Sequence, residues 1–215
     1  MKHFSFDLTF DAVIIGNGSF PETDEVLRYI SASSLVVCCD GGSTALVNAG
    51  YTPNWIVGDG DSISPENREK YRDVFIQIAE QDTNDQTKAT NFCVDLLAKQ
   101  GLSRRPRILI LGSTGKREDH SLGNISLIAN YFDRADVIAM SDYGYFRAAE
   151  NIGHWNVCMG QQLSIFNLNA SGFQSEGLKY PLYDFKEWWQ GTLNEATNER
   201  VTIYAKGKFL VYVSW

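Results

Sequence analysis

Up to about Met140 the chain alternates short apolar runs with stretches of helical spacing. The runs Ala12–Ile15, Leu35–Cys39, Trp55–Val57, Val74–Ile78, Arg107–Leu111 and Val137–Met140 are β-rich and nearly continuous, the pattern of strands buried on both faces. The clearest helical stretch, Thr87–Gln100, puts Ala89, Phe92, Leu96 and Leu97 on one face and stops at Gly101, a natural C′ residue. A second begins near Asp119 and carries Leu122, Ile125 and Ile128 at three-residue steps, which predicts an amphipathic helix. Strand–helix alternation of this kind implies a largely parallel sheet flanked by helices.

After about Tyr143 the helical rhythm disappears. Gly153–Val157, Gln162–Phe166, Val201–Ala205 and Lys208–Val213 are short, β-rich and separated by Gly, Asn and Ser, the signature of a small antiparallel sandwich or barrel. Leu182–Gly191, with Trp188 and Trp189, fits either a short helix or a packed loop. The expected organisation is an α/β N-terminal domain with a mostly parallel sheet, residues 1–145, followed by a small all-β sandwich domain, residues 146–215.

Composition narrows the partners. Of 215 residues, 44% are hydrophobic and 21% charged, enough apolar material for a sizeable core. The net charge of −7, with acids spread along the chain, argues against nucleic acid, whose backbone needs clustered Lys and Arg. A nucleotide remains compatible, because Mg²⁺ bridges carboxylates to phosphate oxygens. The cysteines at 38, 39, 93 and 158 form neither a CxxC pair nor a disulfide framework; they read as reduced thiols of a cytoplasmic protein. Met1–Phe10 lacks the apolar core of a leader, and no apolar run is long enough to span a membrane.

Four polar motifs each begin where an apolar run ends: Asp40-Gly41-Gly42, Gly58-Asp59-Gly60-Asp61-Ser62, Asn84-Asp85 with Lys88, and Gly112–Asp119. In open α/β sheets the carboxyl ends of the strands line one crevice, so these loops should meet at one rim. Asp59 and Asp61 suit Mg²⁺, which takes one or two carboxylates plus water and phosphate; the same residues also suit a plain turn. An EF-hand is excluded, because Ile63 and Ser64 stand where a ligand and Gly are required. Asp40-Gly41-Gly42 lets a phosphate approach a helix start, or is an ordinary βα turn with Ser43 as cap. Asp85 and Lys88 are a metal ligand and a phosphate contact, or a cap-side acid and a solvated lysine. Gly112–His120 lacks Walker spacing, yet its glycines and Arg117 can wrap a polyphosphate; His120 reads as structural.

Taken together and in order, CDGGS, GDGDSI, NDQTKA, GSTGKREDH, GLKYPL and GTLNEA resemble the thiamine pyrophosphokinases. The resemblance spans residues 38 to 196. It implies diphosphate transfer from ATP to the hydroxyl of thiamine, giving thiamine diphosphate and AMP, with Mg²⁺ as cofactor. It implies that Asp59, Asp61, Asp85 and Asp119 gather Mg²⁺ and the phosphates, with Asp40, Gly41 and Gly42 nearby. It further implies that Gln81, Lys88 and Arg117 contact phosphate oxygens, and that Tyr180 and Asn194 hold thiamine. Members of the family are homodimers, with the acceptor held between one subunit's catalytic domain and the other's sandwich. Three positions depart from the family pattern. Gly60 replaces a common Phe, Asn84 a common Thr, and Leu193 a Ser that often contacts the pyrimidine. The alternatives are a transferase with another alcohol acceptor and a non-catalytic nucleotide sensor.

Overall fold

The computed structural model describes residues 9–215. Residues 1–8 of the Met1–Phe10 stretch lie outside the described residues. The chain divides into two compact units, Met1–Asp142 and Tyr143–Trp215.

In the first unit the strands are β1 (Ala12–Ile15), β2 (Val36–Cys39), β3 (Trp55–Gly58), β4 (Phe75–Gln77), β5 (Arg107–Leu111) and β6 (Asp136–Ser141). All pair in parallel, in the order β6-β5-β1-β2-β3-β4. The β1 and β2 residues and Ile108–Leu111 are buried, as their unbroken apolar runs require. Cys38, Cys39 and Cys93 are buried and Cys158 half-buried, all four as free thiols. The run expected at Val74–Ile78 is shorter, because Arg72–Val74 forms a 3₁₀ turn before β4.

The helices are α1 (Asp24–Ala32), α2 (Gly42–Asn48), α3 (Pro65–Lys70), α4 (Asp85–Lys99) and α5 (Glu118–Leu127). α4 begins two residues before its expected start, since Asn84 is the cap: its side chain accepts from Thr87 N at 3.0 Å, satisfying an otherwise orphan donor. Gly101 follows the helix at φ +91°, the left-handed C′ position. Ser43 is not the cap of α2. It sits inside the helix, and its Oγ donates to Asp40 O at 2.6 Å.

The expected buried face of α5 is also corrected. No residue of α5 is buried, Leu122 is 55% exposed, and the buried Ile128 lies just past the helix end. Hydrogen bonds do the holding: Asn124 Nδ2 donates to Ser113 O at 2.8 Å, and its backbone oxygen accepts from Gln86 Nε2 at 3.0 Å. Of the three spaced residues, Leu122 is exposed, Ile125 half-buried and Ile128 buried, so cover increases toward the helix end.

The second unit is antiparallel. Its strands are β7 (Gly144–Asn156), β8 (Gln162–Asn167), β9 (Ser171–Glu176), β10 (Asn194–Glu195) and β11 (Arg200–Ser214). Val201–Ala205 and Lys208–Val213 are one strand rather than two, bent by an irregularity between Tyr204 and Lys208 around Gly207, φ +115°. The bend lets one half of β11 pair with β9 and the other with β8, while β7 runs beside both. A bulge re-aims a strand in this way. Trp155, Phe173, Phe185 and Phe209 fill the space between, with Phe173 edge-on to Phe209 at 5.6 Å. Leu182–Gly191 is a loop closing in a 3₁₀ turn, Trp188–Gly191. Among the described residues no helix is long and apolar enough to cross a membrane.

Candidate active site

Parallel strands deliver their following loops to one edge, and the acidic motifs meet there. Asp40 leaves β2 fully buried. Its carboxylate accepts from the backbone N–H of Gly41, from Gly60 N at 3.0 Å and from Ser62 N at 3.4 Å. A side chain from one loop thus builds the next. The neighbouring Gly58 must lack a side chain, because a Cβ there would fall 2.8 Å from Asp40 Cγ. Gly60 takes φ +91°, which suits glycine.

Oxygens of Asp40, Asp59 and Asp61 lie within 4.8 Å of one another. Asp61 is exposed and Asp59 half-buried, so both lie nearer solvent than Asp40, whose oxygens are buried and committed to backbone N–H groups. Two accessible carboxylates supported by a buried third form a hard-oxygen donor set, and such a set fits a small divalent cation completing its shell with water and phosphate.

Lys88, on the first turn of α4, is buried with its ammonium 3.8 Å from Asp59 Oδ2 and 3.6 Å from Asp85 Oδ1. Two carboxylates compensate that cation, as a buried charge demands. Gln81 Nε2 donates to Asp59 Oδ2 at 3.1 Å, and with Asp61 N it holds the Asp59 carboxyl below the usual range. Asp85 is pushed up to about 6, first by burial and then by the neighbouring Asp40 charge. The rim therefore holds more negative charge than Lys88 neutralises.

Arg117 and Asp119 stand apart from this cluster. They pair with each other at the start of α5, Nε to Oδ1 at 3.0 Å and Nη2 to Oδ2 at 2.6 Å. The pair is exposed, and the guanidinium holds the Asp119 carboxyl down at about 2. Gly41 and Gly42 open α2 beside Asp40, and a Cβ at Gly42 would fall 2.4 Å from Ile15 O.

In the second unit Gly177–Leu182 and Gly191–Ala196 lie side by side, with Lys179 N donating to Glu195 O at 2.9 Å. Tyr180 is exposed, whereas Asn194 is buried and spends its amide on the Tyr180 backbone. Leu193 sits at φ +60° and is 67% exposed; few large side chains adopt that backbone.

Sequence reading missed two features of the first unit. The loop Gly16–Ser19 also follows an apolar run, so the rule that found the other four would have found it. Buried Gln86 and Ser113, joined at 2.8 Å, tie α4 to the β5 loop. No periodicity signals such a pair.

Comparison with known proteins matches both units. A family model described as thiamin pyrophosphokinase, catalytic domain, matches residues 26–145, and one described as thiamin pyrophosphokinase, substrate-binding domain, matches residues 144–212. A thiamine pyrophosphokinase 1 of Oryza sativa subsp. japonica is 27% identical over 161 residues, 66% of this chain and 60% of that protein. The thiamine pyrophosphokinase of Bacillus subtilis (strain 168) is 31% identical over 120 residues, 54% of this chain and 52% of that protein. The matches thus span 60% and 52% of those relatives' lengths. The solved thiamin pyrophosphokinase of Candida albicans superposes with a TM-score of 0.77 at 17% identity, covering 94% of this chain and 89% of that one. That of Bacillus subtilis gives 0.69 at 22%, covering 94% and 98%. At these identities the two structures speak for the fold alone.

Proposed function

This chain belongs to the thiamin pyrophosphokinase family, and from that premise we propose that it transfers a diphosphate group from ATP to the hydroxyl of thiamine, releasing AMP. The observation that carries the reading is the meeting of Asp40, Asp59 and Asp61 at one strand edge, with Lys88 between Asp59 and Asp85. Asp59 and Asp61 would hold Mg²⁺, with Asp40 fixing the loop that presents them and Asp85 beside them. Bound there, Mg²⁺ supplies charge neutralisation for the polyphosphate.

The chain's own residues have separable tasks in this reading. Lys88 balances the acids and meets a phosphate oxygen. Gln81 keeps Asp59 ionised and oriented. Arg117 exchanges its Asp119 partner for a phosphate, since a planar guanidinium suits either anion; Asp119 is then free to join the metal site. Gly41 and Gly42 let the nucleotide approach the backbone. Tyr180 offers a ring face to thiamine, a cation that aromatic faces attract. Asn194 supports that ring. Phosphoryl transfer asks mainly for positioning and charge neutralisation, and this set of residues suits both.

A homodimer is part of the proposal and rests on the family resemblance. One observation favours a different alcohol acceptor: Leu193 presents an apolar side chain where the family pattern carries a hydroxyl. Incubation with ATP, Mg²⁺ and thiamine tests the reading. ATP consumption should require thiamine and stop with EDTA. Consumption without thiamine, or none at all, would overturn it.

A further inference from the structure

The loop after β5 ends in a lysine that none of these roles uses. Lys116 has φ +67°, a left-handed backbone that Cβ-bearing residues pay to enter and glycine enters freely. The glycines before it have steric reasons to be glycine: a Cβ at Gly112 would fall 2.8 Å from Gly16 O, and one at Gly115 would fall 2.1 Å from Ser19 Oγ. Backbone hydrogen bonds lace the β1 and β5 loops together, Gly18 N to Gly112 O and Ser19 N to Thr114 O, both 2.7 Å. Lys116 has no such steric reason.

The lacing brings its ammonium onto Asn17, 2.9 Å from the backbone oxygen and 3.2 Å from Oδ1. Both acceptors are neutral, and among the described residues Lys116 forms no ion pair. Its charge has no carboxylate partner, unlike Lys88, paired with Asp59 and Asp85, and Arg117, paired with Asp119. Asn17 in turn lies against the Asp40 loop, since a Cβ at Gly41 would fall 2.4 Å from Asn17 Nδ2. β1 is also where the sheet changes direction, with β2 on one side and β5 on the other. Ligands of open α/β sheets bind outside the strand ends at that point.

We propose that Lys116 is a phosphate-binding side chain whose ammonium leaves Asn17 to take an oxygen of the nucleotide's phosphate chain. The proposal rests on the ATP-dependent reading above and adds a cation to it. A tether to two neutral, exposed groups stabilises little, so strain at this position is best offset by a contact made only with ligand. Asn17 is the resting place that keeps the ammonium over the rim.

Two variants test it by calorimetric titration with MgATP in the absence of thiamine, alongside thermal melts. Lys116→Met keeps the stem and backbone but removes the charge; Lys116→Gly removes the charge and the strain. Both should bind MgATP roughly tenfold more weakly or worse, the loss expected for a charge-assisted hydrogen bond. Lys116→Gly should melt at or above the wild-type temperature. Wild-type affinity in Lys116→Gly would overturn the proposal. So would a fall in melting temperature and affinity together in both variants, the mark of a tether only. If the wild-type chain itself binds no MgATP, the ATP-dependent reading fails first and takes this one with it.

Discussion

The amide of Asn194 is bonded twice to the backbone of Tyr180: Oδ1 accepts from Tyr180 N at 3.1 Å, and Nδ2 donates to Tyr180 O at 2.8 Å. The same Oδ1 accepts from Glu195 N at 2.9 Å. An amide so committed supports the segment that presents Tyr180. Asn194→Ala should therefore cost about 2 kcal/mol, because buried backbone groups lose partners. It should raise KM for thiamine while the affinity for MgATP stays at the wild-type value. Denaturant melts and nucleotide titration check both halves, and an unchanged thiamine KM would refute the support role.

Asp59 and Asp61 offer the accessible oxygens of the acidic rim, so their neutral isosteres isolate charge from shape. Asp59→Asn and Asp61→Asn should each keep the fold and lose roughly two to three orders of magnitude in turnover, typical of removing one electrostatic stabiliser. Circular dichroism checks the first part and steady-state rates at saturating Mg²⁺ the second. Near wild-type rates in both would remove the metal assignment.

How much of this was legible beforehand depends on which force fixes each element. β1, β2 and the body of β5 announce themselves because burial on both faces leaves no room for polar residues. The acidic loops followed from strand ends, since a parallel sheet sends them all to one side. β11 was misread as two strands because Gly207 and its neighbours break the alternation without breaking the pairing. α5 was legible as a helix from its three-residue spacing, but that spacing did not show that Leu122 stays exposed. The support Asn194 gives to the Tyr180 backbone was not legible, because it depends on a contact fourteen residues away in the chain.

Acid sensitivity has a defined source at the other end of the sheet. Asp11 accepts both arms of Arg104, at 2.7 and 2.8 Å, and Arg107 N at 2.8 Å. The Arg104 hydrogen bonds hold its carboxyl below the usual carboxylate range. A carboxyl with a lowered folded pKa stabilises the fold above its unfolded pKa, and that contribution is lost as pH falls through the folded value. Asp11→Asn should cost roughly 1 kcal/mol at neutral pH and flatten the acid limb of the stability curve below about pH 4. Melts across that range check it; parallel curves for the two proteins would contradict it.

If the active form is a homodimer with sites shared between subunits, defects in different units should complement. Asp61→Asn and Asn194→Ala chains, each impaired alone, should recover activity when mixed after dissociation and reassembly, because one of the two sites regains every residue. Light scattering should give twice the chain mass. A fully active monomer would exclude this arrangement.

The central claim is diphosphate transfer, and the products decide it. Attack at the β-phosphorus moves the diphosphate in one piece and leaves AMP, whereas attack at the γ-phosphorus leaves ADP. Phosphorus NMR of the protein with ATP, Mg²⁺ and thiamine should show AMP and thiamine diphosphate rising in equal amounts, with no thiamine monophosphate at any time. ADP rising together with thiamine monophosphate would contradict the account.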